Sequence, residues 1–223
     1  MIRWFLLIVC VTTAVSAAEP WPLLLTEEFD HGAERWAPSD SAAWKLAEVA
    51  GDKADTKVII FSQFKKKSDF KPPFRSPENI ALLKDLEVTD LEYKVRVKST
   101  HADYGHRDVV LIFGYQDPAH FYYVHLAQAA DDHANQIFIV DGAPRKKISK
   151  TTTKGTPWDD RWHELTVKRT PADGAIAIYF DDPEKPVMTA EDKTFAWGRV
   201  GLGTFDDTAD FDRVEVRGQK RTP

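Results

Sequence analysis

The chain is 223 residues long, with 30 Lys plus Arg against 35 Asp plus Glu, a formal net charge of −5 and one cysteine, Cys10. That balance argues against nucleic acid as a partner, because phosphate contacts demand a basic surface. One cysteine leaves no intrachain disulfide, so the domain must be held by its own core.

The N-terminus reads MIRWFLLIVCVTTAVSAAEPW: Arg3, an apolar run over 4–15, then the small residues Ser16, Ala17 and Ala18. This predicts a cleaved secretory signal over 1–18 and one mature domain over 19–223, carrying −6 once Arg3 is lost. The run is shorter than the roughly 20 residues a spanning helix needs, and no later segment is apolar enough, so no membrane span is expected. Val9 stands where a small residue should precede a lipidated Cys10. The expectation is a secreted or periplasmic monomer.

Downstream, short apolar or alternating runs recur every dozen or so residues between Pro, Gly, Asp and Asn clusters. They predict eleven strands, over 23–29, 44–49, 57–64, 91–99, 108–115, 120–127, 136–142, 163–170, 175–182, 199–205 and 212–218. NIALLKDL at 79–86 reads as a short helix, an irregular segment or a strand. LEYKVRVK alternates, with Leu91, Tyr93, Val95 and Val97 on one face and Glu92, Lys94, Arg96 and Lys98 on the other, so it has one wet face. DVVLIFGY and HFYYVHLA are apolar on both faces, as in central strands. Turn residues Asp117-Pro118, Asp141-Gly142 and Asp173-Gly174 make consecutive strands antiparallel neighbours. The fold class is all-β, a two-sheet antiparallel jelly-roll sandwich.

Histidines and aromatics concentrate in the central runs: His106, His120, His125 and His133 stand among Phe113, Tyr115, Phe121, Tyr122, Tyr123 and Phe138. Aromatic rings can stack on sugar faces, and imidazoles can trade protons. A period of two places Phe121, Tyr123 and His125 on one face. Tyr123 as acid and His125 as base, with Arg75, Arg96 or Arg107 neutralising a carboxylate, would be the minimum for β-elimination on a uronate; otherwise they are a half-buried ring and a hydrogen-bonded sheet histidine. His106 with Asp108 could orient an imidazole, or Asp108 could pair with Arg107 in a turn. The DDHAN loop offers His133 and Asn135 beside the aromatic strand. The histidines lack zinc-motif spacing.

EEFD at 27–30, WHELTVKR at 162–169, AIAIYFDD at 175–182, WGRVGLGTF at 197–205 and FDRVEVRG at 211–218 resemble the concanavalin A-like lectin/glucanase superfamily. The likeness extends to secreted bacterial domains of the laminin-G and keto-disaccharide-hydrolase type. It implies the jelly roll and a carbohydrate partner, and it leaves activity open, because such folds host lectins, lyases, hydrolases and adhesion modules. The glucanases of this fold carry Glu-x-Asp-x-x-Glu on one strand. Here Glu28 and Glu34 are one residue too far apart, which turns the second carboxylate to the other face. The alginate-lyase motifs are also absent as written. The pairing of first and last strands in such jelly rolls suggests a structural Ca²⁺ held by Glu28, Asp30, Asp210 and Asp212, the alternative being edge-strand charge.

These residues predict a secreted module that binds a polysaccharide or glycoconjugate on a concave face formed by the strands at 91–99, 108–115, 120–127 and 136–142. Tyr115, Tyr123, Phe138 and Trp158 would supply stacking area, and His125, His133, Asn135, Arg75 and Arg107 would orient polar groups. A glycan-cleaving enzyme, polysaccharide lyase or glycoside hydrolase, would use the same groove, with His125, Tyr123, His106 and Arg75 as its catalytic set. An adhesion or scaffolding module would follow if neighbouring loops filled the face.

Overall fold

The computed structural model describes residues 21–51, 53 and 56–222; the expected secretory signal lies outside them. Among these residues the strands are, in chain order, β1 (Leu23–Glu27), β2 (Trp36–Pro38), β3 (Trp44–Ala50), β4 (Lys57–Gln63), β5 (Asn79–Leu83) and β6 (Val88–Ser99). There follow β7 (Asp108–Asp117), β8 (His120–Ala127), β9 (Gln136–Asp141), β10 (Lys146–Lys147) and β11 (Ser149–Thr152). The chain closes with β12 (His163–Thr170), β13 (Ala175–Phe180), β14 (Pro186–Glu191), β15 (Arg199–Thr204) and β16 (Ala209–Lys220). No helix among the described residues is long and apolar enough to cross a membrane.

All eleven expected strands are present, in two antiparallel sheets. The first runs β11-β14-β13-β12-β6-β16-β4-β3, with β1 also against β16; the second runs β10-β9-β8-β7-β15-β5-β2. First and last strands do pair, Glu27 opposite Val214. One expectation is corrected. The strand at 91–99 is β6, in the first sheet between β12 and β16, and so shares no face with β7, β8 and β9. Its alternation holds: Leu91, Tyr93, Val95 and Val97 are buried while Glu92, Lys94, Arg96 and Lys98 face outward. NIALL is the strand β5, and its five buried residues explain why no period of two marks it.

The main core lies between the sheets, where Val95, Val97, Leu165 and Val167 are buried with Leu111, Phe113, Tyr122, Val124 and Leu126 in one apolar cluster. Each such side chain contributes roughly 1.5–3 kcal/mol relative to exposure. The outer face of the second sheet is a second apolar layer. Ile80, Leu82, Val110, Ile112, Tyr115, Phe121, Tyr123, Phe138 and Val140 form it, and Phe74 and Phe205 pack on top. Strands β7 and β8 are apolar on both faces because both faces are buried. In β7 the register against β8 shifts after Phe113, at Gly114, whose φ of 58° suits glycine; Tyr115 then joins the outer layer.

Candidate functional site

The period of two correctly groups Phe121, Tyr123 and His125, with ring centroids 6.1 Å apart for Phe121 and Tyr123. What covers them was not legible. Tyr123 is 0 % and His125 4 % exposed, and Tyr115 and Phe138 are also buried. No sugar can stack on these rings as they stand, and the face proposed as a groove is filled by Phe74 and Phe205.

The rings instead carry arginines. Arg145 lays its guanidinium 4.6 Å from the Phe138 centroid and 4.4 Å from that of Phe205, and its Nη1 donates to the Tyr123 hydroxyl at 2.9 Å. Arg75, an exposed residue, stands 6.0 Å from the Phe205 centroid, and its carbonyl accepts from the Arg145 amide. At the other end Arg199 lies 5.1 Å from the Tyr115 centroid. Among the described residues none of the three has a carboxylate partner, whereas Arg96, Arg107, Arg161 and Arg221 all do. In sequence the basic run RKK at 145–147 reads either as a contact for an anionic glycan or as a solvated turn; nothing local tells that Arg145 lies down on rings from distant strands.

The proposed catalytic pair lacks the openings that chemistry needs. His125 Nδ1 donates to the His133 carbonyl at 3.0 Å, while Nε2 stands 3.2 Å from Asp108 Oδ2. That leaves neither nitrogen facing a substrate. Burial pushes the Tyr123 hydroxyl well above its ordinary range, against the opposing pull of Arg145. Asp108 Oδ1 accepts from the Phe205 amide at 2.9 Å.

Beside Phe205 the same corner continues into Asp207, whose side chain is wholly buried and whose Oδ2 accepts from the Asp108 amide at 3.0 Å. Its Oδ1 accepts from the Tyr104 hydroxyl at 2.8 Å, with Lys66 Nζ and His101 Nδ1 each 3.6 Å away. Burial first, and then the Asp108 charge, raise the Asp207 carboxyl above the usual range. Tyr104 and His101 sit in a segment that carries no strand or motif signal, and Lys66 belongs to the basic run KKK at 65–67, which reads as a glycan contact or a solvated face.

Other sequence candidates hold structure. Arg107 is buried, donating to the Ser99 hydroxyl and carbonyl and to the 159–160 turn, with Asp160 at 3.0 Å. That answers the Arg107–Asp108 alternative, since Asp108 turns to His125 instead. Trp158 is buried, its Nε1 donating to the Leu126 carbonyl. Asn135, at φ 53°, donates to the Thr152 hydroxyl and the Thr153 carbonyl and accepts from Thr156. His106 is exposed and meets Asp131 at 3.2 Å, and His133 is exposed.

The four carboxylates suggested for calcium are not gathered into a ligand set. Glu28, Asp30 and Asp212 line a cleft of about 250 Å³, but Arg96 and Arg213 line it too, and Arg96 pairs with Asp212. Asp210 lies by Ser62, Lys98 and Lys45. Among the described residues no group of three or more His, Cys, Asp or Glu could hold a metal ion.

No protein-family model matches the sequence, and no curated protein matches it. Solved structures do. The carbohydrate-binding module CBM66 from Bacillus subtilis aligns with a TM-score of 0.54 at 20 % identity, over 82 % of this chain and 96 % of that one. Domain 4 of AbnA, an extracellular arabinanase from Geobacillus stearothermophilus, gives 0.55 at 12 % over 92 % and 96 %. The β-glucanase of Bacillus licheniformis gives 0.50 at 11 % over 87 % and 98 %. At such identities the likeness carries the fold alone. By its two antiparallel sheets and these neighbours, the chain has the fold of a two-sheet jelly-roll sandwich.

Proposed function

We propose that the protein binds an anionic glycan on the surface over the outer face of the second sheet, at Arg75, Arg145 and Phe205. The observation that carries this reading is the pair of guanidinium groups without carboxylate partners, Arg145 being held flat by Phe138, Phe205 and the Tyr123 hydroxyl. A planar fork fixed by stacking loses little freedom when it binds a carboxylate or sulfate. In a chain of net charge −5, cations left unpaired on one face also favour an anionic partner. The carbohydrate-binding and glycosidase names among the structural neighbours support a sugar as the carrier of that charge.

The test is affinity electrophoresis of the purified protein in gels containing neutral, uronic or sulfated polysaccharides. Retardation should be confined to the anionic gels, and Arg75→Ala or Arg145→Ala should each weaken it about tenfold, one charge-assisted contact each. Equal retardation by neutral gels, or wild-type behaviour of both variants, would refute the reading. The filled face favours a second reading, an adhesion or scaffolding module, which gains if no polysaccharide retards the protein.

A further inference from the structure

The surface carries guanidinium groups at both ends of one row of rings. Arg199 stands over Tyr115, whose centroid is 5.4 Å from Phe121; Phe121 is 6.1 Å from Tyr123, and Tyr123 takes the hydrogen bond from Arg145. The row is apolar and buried between these anchors. Beyond Arg199 opens a cleft of about 520 Å³ lined by Asp85, Glu87, Gln116, Arg199, Lys220 and Arg221. Within it Arg221 is neutralised by Glu87 at 2.9 Å and lies over Trp197. Arg199 and Lys220 have no carboxylate partner among the described residues, and Asp85 leaves the remaining cations in excess.

We infer that this face is a track for an extended polyanionic glycan, anchored at Arg75 and Arg145 at one end and at Arg199 and Lys220 at the other. The inference rests on the anionic-glycan reading and adds chain length to it. A small acidic sugar reaches one anchor. A chain bearing a carboxylate or sulfate on successive residues reaches both, and its second contact is made at the high effective concentration set by the first.

The experiment is titration of the full mature protein with size-fractionated uronic-acid oligosaccharides, from the disaccharide upward, and with sulfated oligosaccharides of matched length, each at several salt concentrations. Affinity should rise steeply at the length that spans both anchors, and the salt dependence should steepen at the same length. Arg199→Ala should cost long chains about tenfold and leave the shortest oligomers unchanged. Lys220→Ala, an exposed change that cannot threaten folding, should act in the same direction. Affinity independent of length, or long-chain binding untouched by both substitutions while Arg145→Ala still weakens it, would overturn the track and leave the anionic reading standing. Failure of every anionic oligomer at every length would overturn both. The uronic and sulfated series distinguish which anion the guanidiniums read.

Discussion

Replacing Tyr122 by Phe removes one oxygen from the core and keeps the ring. The ring packs 5.5 Å from Phe113 and 5.0 Å from Phe195, with the buried Arg169 guanidinium 5.0 Å from its centroid. The oxygen bridges two strangers: it donates to Asp192 Oδ1 at 2.5 Å and accepts from the Phe195 amide at 3.0 Å. Burial and the Asp192 bond push this hydroxyl up to about 12, so it stays a donor at every ordinary pH. Without it a buried N–H is orphaned and a carboxylate loses a donor, for a loss of about 2–4 kcal/mol. For a domain of this size that lowers Tm by about 5–15 °C. The acid limb should change as well. Burial works to raise Asp192, but the Tyr122 hydroxyl and the Thr194 amide outweigh it and hold the carboxyl below its usual range. A depressed folded pKa gives stability that is present above the unfolded value and lost as pH falls through the folded one, and the variant should lose part of that slope. Urea unfolding followed by near-UV circular dichroism at several pH values measures both. A loss under about 0.5 kcal/mol, with an unchanged acid limb, would refute the bridge.

The buried Asp207 titrates in the opposite sense, because its folded pKa is raised by burial and by Asp108. Its stabilising share is complete below the unfolded pKa and is lost as pH rises through the folded one. Asp207→Asn should therefore gain on the wild type as pH climbs from about 3 to 7, and parallel stability profiles would sink the assignment. Gly198→Ala would set a Cβ 2.2 Å from the Gly114 carbonyl carbon and 2.4 Å from the Tyr115 amide nitrogen. Backbone must move, at about 1–3 kcal/mol; an unchanged Tm would contradict that close approach. Calcium or a chelator should leave Tm where it is, since Arg96 occupies Asp212; a calcium-dependent rise lost in Glu28→Gln would restore the clamp.

The strands were legible wherever one physical rule acted alone. Alternation marked β6, turn residues separated β7 from β8, and continuous apolar runs marked the strands buried on both faces. Strands with weak local signals were not: Trp36–Pro38 is three residues long, Pro186–Glu191 opens on a proline, and Lys146–Thr152 reads as a basic turn although it crosses from the edge of one sheet to the other. The resemblance motifs are explained by packing. His163 Nδ1 meets Asp181 Oδ2 at 2.7 Å, and Asp181 Oδ1 accepts from the Glu164 amide at 2.8 Å, so the Trp-His and Phe-Asp-Asp signals clasp the start of β12 to the end of β13. Such signals report the fold and carry no chemistry of their own.

The candidate site was harder to read because its character is set by residues far apart in sequence. A period of two puts Tyr123 and His125 on one face, but whether that face is a groove or a floor depends on Phe74 and Phe205, which neither strand encodes. Once it is a floor, the same residues change role. Aromatic rings that would have met sugar now hold guanidiniums flat, and a histidine that would have moved protons ties the 131–135 loop to Asp108. Burying Asp108, Asp207 and His125 within an apolar layer is costly unless their partners are fixed. The partners here are the amides of Phe205 and Asp108, the Tyr104 hydroxyl and the His133 carbonyl. Those bonds fix the 205–207 turn, and with it the Phe205 ring on which Arg75 and Arg145 rest. If the surface binds an anionic glycan as proposed, the buried polar corner would serve recognition by rigidity: loosening it should weaken anion binding through misplacement of Phe205 even where no charge that meets the ligand has been removed.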